Sequence, residues 1–180
     1  LLYDRYDLWQ VFPDGRPARN LTLGYGRAHR MILRRQDVAA HEEDDPARGV
    51  DLKGPLIVRG EDEHTRATGF LRFEAGHPAP QTLLWGDCCY YYIGRALQAD
   101  RLMLTASRFD EFPDVWVTDE ALDAPRRVTD GQAQLAPFKW GHAEMIDYKN
   151  SAGVPLQACL YLPADFNPAK KYPLIVYTYE

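Results

Sequence analysis

The chain has 180 residues, of which 46% are hydrophobic and 12% aromatic, and it carries a formal net charge of -5 at pH 7. This composition supports a packed core and excludes wholesale disorder. Charges of both signs occur in short clusters without a basic stripe, which argues against a nucleic-acid partner. The sequence has no run of about 18 apolar residues, so no membrane-spanning helix is predicted. The length suffices for one full domain or for pieces of two.

The first predicted strand covers residues 6–12, and Pro13-Asp14-Gly15 ends it in a turn before Asn20-Leu21-Thr22. A similar pattern recurs far along the chain, where a strand over residues 112–119 is followed by Arg127-Val128-Thr129-Asp130. Both copies open with aspartate, an apolar residue and tryptophan, and both close with an apolar residue and threonine. They lie about two repeats of roughly 50 residues apart, which is the length of a four-stranded propeller blade.

An intermediate copy of this repeat is expected near residues 56–73. Strands are predicted there over residues 56–58 and 69–73, although the tryptophan is missing. Gly86-Asp87 predicts a hairpin turn, because a strand is predicted on each side of it. Residues 94–101 predict either a single helical turn or a loop. The remaining strands of this part are predicted over residues 30–34, 82–85, 89–93 and 102–105.

Two acidic clusters offer imidazole and carboxylate groups that could bind a metal ion, namely His41-Glu42-Glu43-Asp44-Asp45 and Glu61-Asp62-Glu63-His64. Carboxylates in an unbroken row rarely converge on one ion, so both clusters are interpreted as solvated loops. The whole insertion from His41 to Gly49 is predicted to be disordered. Gly24-Tyr25-Gly26 has too few glycines for a phosphate loop and predicts a bend. No metal or organic cofactor is expected.

The cysteines and the clustered tyrosines are interpreted as core residues. Cys88, Cys89 and Cys159 form an odd set with two adjacent members and no C-x-x-C pair, which is a poor framework for disulfides or zinc. Buried side chains in strands are therefore predicted for them. The Tyr90-Tyr91-Tyr92 run could stack a ligand, but an aromatic strand is ordinarily core. Glu111 and Asp114 could face a central cavity and meet the free N-terminus of a peptide, or simply serve turn chemistry.

The composition changes near residues 137–141, and a domain boundary is predicted at about residue 138. Beyond it, strands are predicted over residues 144–148 and 156–162, joined by the polar turn Asn150-Ser151-Ala152-Gly153.

The last eleven residues, 170–180, form a nearly continuous apolar run after Lys170-Lys171-Tyr172-Pro173. Such a run is typical of a strand covered on both faces, as in a parallel sheet. Because that sheet needs further strands, we expect the natural sequence to continue past Glu180. We also expect it to begin upstream of Leu1, which falls in the middle of a pattern.

On these residues the chain resembles the prolyl oligopeptidase family of serine peptidases, including its dipeptidyl-peptidase and acylaminoacyl-peptidase branches. The strand Phe-Pro-Asp-Val-Trp-Val-Thr-Asp at residues 112–119 is similar to a late propeller blade of that family. Residues 144–163 are similar to the two strands that open the family's hydrolase domain, and residues 171–176 to its Lys-Tyr-Pro-apolar strand. The resemblance covers residues from about 100 to 180 well and the first hundred only loosely.

This resemblance implies an all-β fragment in which residues 1–138 are the C-terminal part of a β-propeller with four-stranded antiparallel blades. Residues 139–180 would be the N-terminal strands of a truncated α/β-hydrolase domain. The family's triad of Ser, Asp and His stands on a strand–helix elbow that this chain lacks. The chain has two serines, Ser107 and Ser151, and neither has the Gly-x-Ser-x-Gly surround. The chain alone is therefore predicted to be inactive.

The resemblance also implies one functional residue, because Tyr179 matches a tyrosine that donates its hydroxyl to the family's oxyanion hole. Such a donor typically contributes a few kcal/mol to stabilising the transition state. Many members place a glycine-rich turn after this tyrosine, whereas Glu180 follows it here. The alternative is that Tyr179 is merely an aromatic residue of a strand.

The expected function is that of a fragment of a serine peptidase, in which the propeller part gates and positions a peptide and the triad lies outside the chain. Its partners would be a peptide substrate, the remainder of its own chain, and further copies bound through exposed strand edges. A periplasmic or secreted location is favoured over a cytoplasmic one by the resemblance alone. Two alternatives remain: a stand-alone β-propeller or β-sandwich interaction module, and an esterase with the same domain plan.

Overall fold

The computed structural model describes residues 1–39 and 49–178 of the chain, and within them the all-β prediction is confirmed. The strands form four antiparallel sheets, accompanied by one short helix, α1 (Tyr25–His29), and a 3-10 turn at Gly131–Leu135. The strands are β1 (Leu2–Tyr3), β2 (Leu8–Gln10), β3 (Arg19–Asn20), β4 (Met31–Arg35), β5 (Leu56–Asp62), β6 (Thr68–Phe73), β7 (Gln81–Gly86), β8 (Cys89–Arg95), β9 (Leu102–Arg108), β10 (Glu111–Thr118), β11 (Arg126–Arg127), β12 (His142–Lys149) and β13 (Pro155–Leu162).

The chain divides into two compact units, Leu1–Gln134 and Leu135–Glu180. The first unit contains sheet 1 (β1–β3), sheet 2 (β4–β7) and sheet 3 (β8–β11), and the second contains sheet 4 (β12–β13). In sheets 2 and 3 each strand pairs with the next one along the chain, so both are four-stranded antiparallel meanders. The domain identities predicted for residues 1–138 and 139–180 stay a prediction.

Strand β6 lies at the centre of the core of the first unit. On one of its faces, Leu71 and Phe73 pack with Leu8, Leu33 and Val58, which belong to sheets 1 and 2. On the other face, Phe70 packs with Leu102 and Leu104 of β9 and with Leu122 of the loop between β10 and β11. Successive side chains of a strand point to opposite faces, so a strand with apolar residues at adjacent positions is buried from both sides. The apolar run at residues 70–73, interrupted only by Arg72, thereby joins three sheets.

The repeated aspartate and threonine of the sequence form a buried contact, which we call the aspartate latch. In the first copy, Asp7 is 1% exposed and its carboxylate accepts the Thr22 hydroxyl at 2.7 Å. The same carboxylate accepts the backbone N–H groups of Gly26 and Arg27 at 3.0 and 3.2 Å, and Thr22 Oγ1 accepts the Leu8 N–H at 3.2 Å. One side chain therefore joins β2, the segment after β3, and the start of α1.

The second latch repeats the first with the same separation of 15 residues between aspartate and threonine. Asp114 is 3% exposed and accepts the hydroxyl of Thr129 and the N–H of Gly131, while Thr129 Oγ1 accepts the N–H of Val115. The Thr129 hydroxyl and the Gly131 N–H hold the pKa of Asp114 below its ordinary value. The repeat in the sequence thus encodes a buried hydrogen-bond pattern.

Two local predictions are wrong. Gly86-Asp87 does not close a hairpin, because β7 pairs with β6 while β8 pairs with β9, so these residues lead from one sheet to the next. Thr68 of sheet 2 fixes this link to sheet 3, because its hydroxyl donates to the Cys88 carbonyl at 2.8 Å and accepts the Tyr90 N–H at 2.9 Å. Gly24, predicted within a bend, instead precedes α1 with φ of 78°. Short-range turn chemistry is the same in a hairpin and in a link between sheets.

In the second unit, β12 and β13 pair in register from His142 and Leu162 to Lys149 and Pro155. The predicted polar turn between them is present, with Asn150 Oδ1 accepting the N–H groups of Ala152 and Val154 at 3.0 and 2.9 Å. The buried strand predicted over residues 170–180 is wrong for the described part, residues 170–178, which form no strand. Ile175 is 93% exposed there. A strand requires a hydrogen-bonding neighbour, and no described strand pairs with this segment.

Candidate functional site

The site residue predicted by resemblance, Tyr179, lies outside the described residues. Ser107 pairs with Cys89 at one end of the β8–β9 ladder, and Ser151 is exposed in the turn between β12 and β13. Neither hydroxyl is hydrogen-bonded to a histidine within the described part of the chain. A serine without a neighbouring base is a weak nucleophile, so these positions suit strand and turn roles.

The cysteines are free thiols rather than fully buried core residues, since Cys88 and Cys89 are half-buried and Cys159 is exposed. The prediction of burial is therefore wrong for Cys159. Burial raises the pKa of the Cys88 thiol, which disfavours the nucleophilic thiolate. No group of three or more acidic, histidine or cysteine side chains that could hold a metal ion occurs among residues 1–39 and 49–178.

The aromatic run of β8 alternates between core and solvent. Tyr90 and Tyr92 pack against the cluster around Phe70, whereas Tyr91 is 56% exposed and has the Arg59 guanidinium 5.2 Å from its ring centroid. Burial raises the pKa of Tyr90 to about 12, so that phenol is no acid catalyst near neutral pH. The core interpretation is confirmed for Tyr90 and Tyr92 and is wrong for Tyr91.

The acidic cluster at residues 61–64 is partly structural. Glu63 is 7% exposed, accepts the Tyr6 hydroxyl at 2.9 Å and Arg30 Nε at 3.1 Å, and pairs with Arg5. The Tyr6 hydroxyl is the main cause that lowers the pKa of Glu63. Its interpretation as part of a solvated loop is wrong. The other acidic cluster, at residues 41–45, lies outside the described residues.

Asp114, considered as an acid facing a substrate cavity, is enclosed by its latch and is not available to a peptide's N-terminus. Turn chemistry is the alternative that its hydrogen bonds to Thr129 and Gly131 fit. Glu111, at the start of the same strand, is exposed.

An open cleft of about 310 Å³ at one end of sheets 2 and 3 is the best candidate site in the described part. Three arginines converge on it: Arg35 at the end of β4, Arg72 near the end of β6, and Arg95 at the end of β8. We call it the arginine cleft. Its acidic lining residues are Asp37, Asp51 and Glu120, and its apolar lining includes Val38, Pro55, Leu56 and Ile57.

The three arginines of this cleft differ in how many hydrogen bonds and ion pairs they form. Arg35 pairs with Asp37 at 3.0 Å, and Arg95 pairs with Glu120 at 2.9 Å. Arg72 makes a single hydrogen bond, at 3.4 Å, from Nη2 to the Glu120 carbonyl. The Nε atoms of Arg72 and Arg95 are buried without an acceptor in the described structure. Sequence reasoning missed this cleft because its arginines are far apart in the chain and belong to no motif.

Comparison with known proteins finds two solved structures with partial similarity to this chain at low identity. No family model and no curated protein matches the chain. Two solved structures of the AtxE2 isopeptidase are similar to it, one of a serine-to-alanine variant with Astexin3-dC4 bound and one of the apo form. Their identities are 15% and 16% and their TM-scores 0.47 and 0.48, each covering 72% of this chain. This chain spans 21% of the length of each isopeptidase chain.

These comparisons contradict the resemblance to the prolyl oligopeptidase family. The structures they find are isopeptidases, and no family model or curated protein supports that family. The motifs that suggested it are the blade strand at residues 112–119, the strand pair at residues 144–163 and the Lys-Tyr-Pro strand at residues 171–176. The oxyanion role of Tyr179 was carried over from that resemblance and stays a prediction. No helix of the described residues is long and apolar enough to cross a membrane.

Proposed function

We propose that this chain is the non-catalytic part of a serine peptidase, in which tandem β-sheets restrict and position a peptide and a triad outside these 180 residues cleaves it. The observation that carries the proposal is the order of two dissimilar units. A unit of tandem antiparallel sheets is followed by a unit whose hairpin leads into an exposed apolar segment.

The first unit supports the gating role. Two four-stranded meanders follow one another along the chain, and aspartate latches recur in sheets 1 and 3. Repeated four-stranded sheets of this kind are the building units of β-propellers, which surround a central channel. A channel of this type would admit an extended peptide and exclude a folded protein.

The second unit supports the presence of a catalytic partner domain. Leu174, Ile175, Val176 and Tyr177 are 73%, 93%, 72% and 77% exposed. A contiguous apolar segment of this kind marks a surface that another part of a protein covers. Its composition suits a central strand of a mostly parallel sheet, the scaffold on which one class of Ser-His-Asp hydrolases places its nucleophile. In that arrangement Tyr179 would stand near the strand end as a candidate oxyanion donor.

The catalytic steps would belong to residues outside this chain. A serine hydroxyl would attack the scissile carbonyl while a histidine removes its proton, and hydrogen-bond donors would stabilise the oxyanion. Neither Ser107 nor Ser151 has the partners for that attack, so the 180-residue chain is expected to bind and not to cleave.

A stand-alone interaction module is the second candidate, and the arginine cleft favours it. That cleft lies within the first unit and needs no catalytic domain to bind a ligand. An esterase with the same domain plan is separated from a peptidase by the substrate that it hydrolyses.

The proposal is tested with a chain extended through the downstream reading frame, assayed beside the 180-residue chain. Both receive peptidyl-nitroanilides, nitrophenyl esters and a serine-directed fluorophosphonate probe. Turnover of the anilides and labelling by the extended chain alone would support the peptidase. Turnover of esters alone would identify an esterase.

An extended chain that is inert and unlabelled, or a frame that ends at Glu180, would refute the catalytic proposal. If the peptidase is supported, Tyr179→Phe in the extended chain is the next variant. The oxyanion role predicts a kcat lower by about a hundredfold with a nearly unchanged KM. A role in strand packing alone would instead lower stability and leave kcat unchanged.

A further inference from the structure

We propose that the arginine cleft is a binding site for a carboxylate carried by a peptide, with Arg72 as the principal donor. This inference concerns binding by the first unit alone and does not depend on the proposed peptidase function.

Arg72 is the least satisfied cation of the cleft. Its Nη2 donates to the Glu120 carbonyl at 3.4 Å, and it forms no ion pair within residues 1–39 and 49–178. Its Nε is buried and has no acceptor. A buried donor without a partner is destabilising, so an acceptor that supplies the missing bond gains more than an ordinary surface contact would. Because Nε is buried, a carboxylate in the cleft would reach it only if the Arg72 side chain turned toward the ligand.

Arg95 supplies a positioned second cation. Its Nη1 donates to the Val38 carbonyl at 3.1 Å and to Glu120 Oε2 at 2.9 Å, and its Nη2 lies 3.5 Å from Asp100 Oδ1. Only 17% of its side chain is exposed. Glu120 accepts from Arg72 through its backbone carbonyl and from Arg95 through its carboxylate, so both guanidinium groups lie next to this one residue.

The charges of the cleft favour a monoanion. Arg35 is paired with Asp37, and Arg95 with Glu120 and Asp100, which leaves Arg72 without a carboxylate partner among the described residues. Asp51 also lines the cleft. A single carboxylate complements one unpaired guanidinium and accepts two parallel N–H bonds from it. A phosphate dianion would face Asp37, Asp51 and Glu120 with an excess of negative charge.

The size and the apolar lining of the cleft indicate a peptide rather than a free anion. A volume of about 310 Å³ is much larger than a carboxylate needs and lies at the lower end of the range of small-ligand pockets. Val38, Pro55, Leu56 and Ile57 offer apolar surface for an adjacent side chain. Small-ligand sites commonly combine such a surface with a few polar anchors.

Direct binding measurements on the 180-residue chain test the proposal. The probes are three peptides labelled with an uncharged BODIPY dye: one with a free C-terminal carboxylate, one of the same sequence with an amidated C-terminus, and one amidated with glutamate in place of its last residue. Fluorescence anisotropy gives each Kd. Binding of the first peptide alone identifies a C-terminal carboxylate as the ligand, and binding of the third as well identifies carboxylates in general. Competition by inorganic phosphate at similar affinity would overturn the carboxylate assignment.

The decisive variant is Arg72→Gln, with Arg16→Gln as its matched control because Arg16 is an exposed arginine outside the cleft that pairs with Asp14 and lies over the Phe12 ring. Arg72→Gln is expected to weaken binding at least about tenfold, the effect of losing a charge-assisted hydrogen bond. Arg72→Lys keeps the positive charge but loses the two parallel N–H donors of the guanidinium group, so a Kd between those of the parent chain and Arg72→Gln is expected. Unchanged circular dichroism and melting temperature establish that each variant is folded.

A further control removes the acidic side chains at residues 42–45, which are close in sequence to residues that line the cleft. The measurements are repeated in a chain that carries Glu42→Gln, Glu43→Gln, Asp44→Asn and Asp45→Asn. Equal Kd values for the carboxylate and amide peptides in both backgrounds would overturn the proposal. An Arg72→Gln chain that binds as tightly as the parent chain would overturn it as well.

Discussion

The aspartate latch makes the sharpest prediction about stability, because a single buried carboxylate joins three segments of the first unit. We predict that Asp7→Ala destabilises this unit without altering its strand order. The change removes the acceptor of the Thr22 hydroxyl at 2.7 Å, of the Gly26 N–H at 3.0 Å and of the Arg27 N–H at 3.2 Å.

The loss of stability depends on whether each donor finds another acceptor once the Asp7 carboxylate is removed. The Thr22 hydroxyl can turn to Asn20 Oδ1, which lies 3.0 Å away, and the exposed Arg27 N–H can bind water. The buried Gly26 N–H has no such substitute. We therefore expect a loss of about 2–3 kcal/mol, dominated by this unpaired donor and the lost charged acceptor. For a chain of this size that corresponds to roughly 5–10 °C in melting temperature.

The measurement is urea unfolding followed by tryptophan fluorescence in a Trp140→Phe background. Trp9, Trp85 and Trp116 all belong to the first unit, so this background isolates its transition from that of the second unit. Asp14→Ala is the control, because Asp14 is an exposed turn residue whose side chain pairs with the exposed Arg16. It is expected to leave the midpoint unchanged.

A double-mutant cycle gives the decisive result. Thr22→Val removes the hydroxyl and leaves the Leu8 N–H unpaired. If Asp7 and Thr22 act as one latch, their combined effect differs from the sum of the single effects by more than about 0.5 kcal/mol. Additive effects, or an Asp7→Ala midpoint equal to that of Asp14→Ala, would refute the latch as a stabilising unit.

Three further predictions concern pH, packing and association. The backbone N–H of Asp7 is the main cause that lowers the pKa of Asp4 from 3.8 to about 2, so Asp4 stabilises the fold above pH 4 and loses this effect as the pH falls toward 2. Asp4→Asn should therefore reduce the dependence of the unfolding midpoint on pH between pH 4 and 2. An unchanged dependence would contradict this. Gly69→Ala should destabilise the first unit by about 1–3 kcal/mol in thermal unfolding, since the new Cβ would collide with the Leu84 carbonyl oxygen; a neutral effect would show that β6 and β7 can separate. Ile175→Asp should reduce self-association in sedimentation velocity because it breaks an exposed apolar segment, whereas an unchanged distribution would exclude that segment as the contact.

Local patterns predicted much of the first unit. Alternation and β-branched residues indicated most of its longer strands, and the Asp-apolar-Trp repeat marked sheets 1 and 3 before any contact was known. The reason is that a latch requires its aspartate and threonine at fixed places around one strand pair. The repeat is visible in the sequence because, in each copy, the aspartate accepts hydrogen bonds from a threonine hydroxyl and from a backbone N–H that lie within about 25 residues of it.

The errors have a common physical cause, which is that pairing partners are not written in a local sequence. Gly86-Asp87 has the composition of a hairpin turn, yet β7 pairs with β6 and β8 pairs with β9, so the two strands that flank it belong to different sheets. The terminal apolar run has strand composition, but no described strand pairs with it, and its residues are exposed. Short motifs likewise suggested a family that the comparisons contradict.

The sequence by itself determined the all-β class, the polar turn at Asn150 and the repeated aspartates, because each depends on residues close along the chain. The tertiary structure alone decided which strands share a sheet and which acids are buried. It also decided that Arg35, Arg72 and Arg95 meet in one cleft. Each of these three arginines comes from a different strand, and only the packing of sheets 2 and 3 brings them together. Whether the charge of an arginine is neutralised depends on its neighbours in space. Only the folded chain therefore shows that Arg72 has no carboxylate partner among the residues that the structure describes.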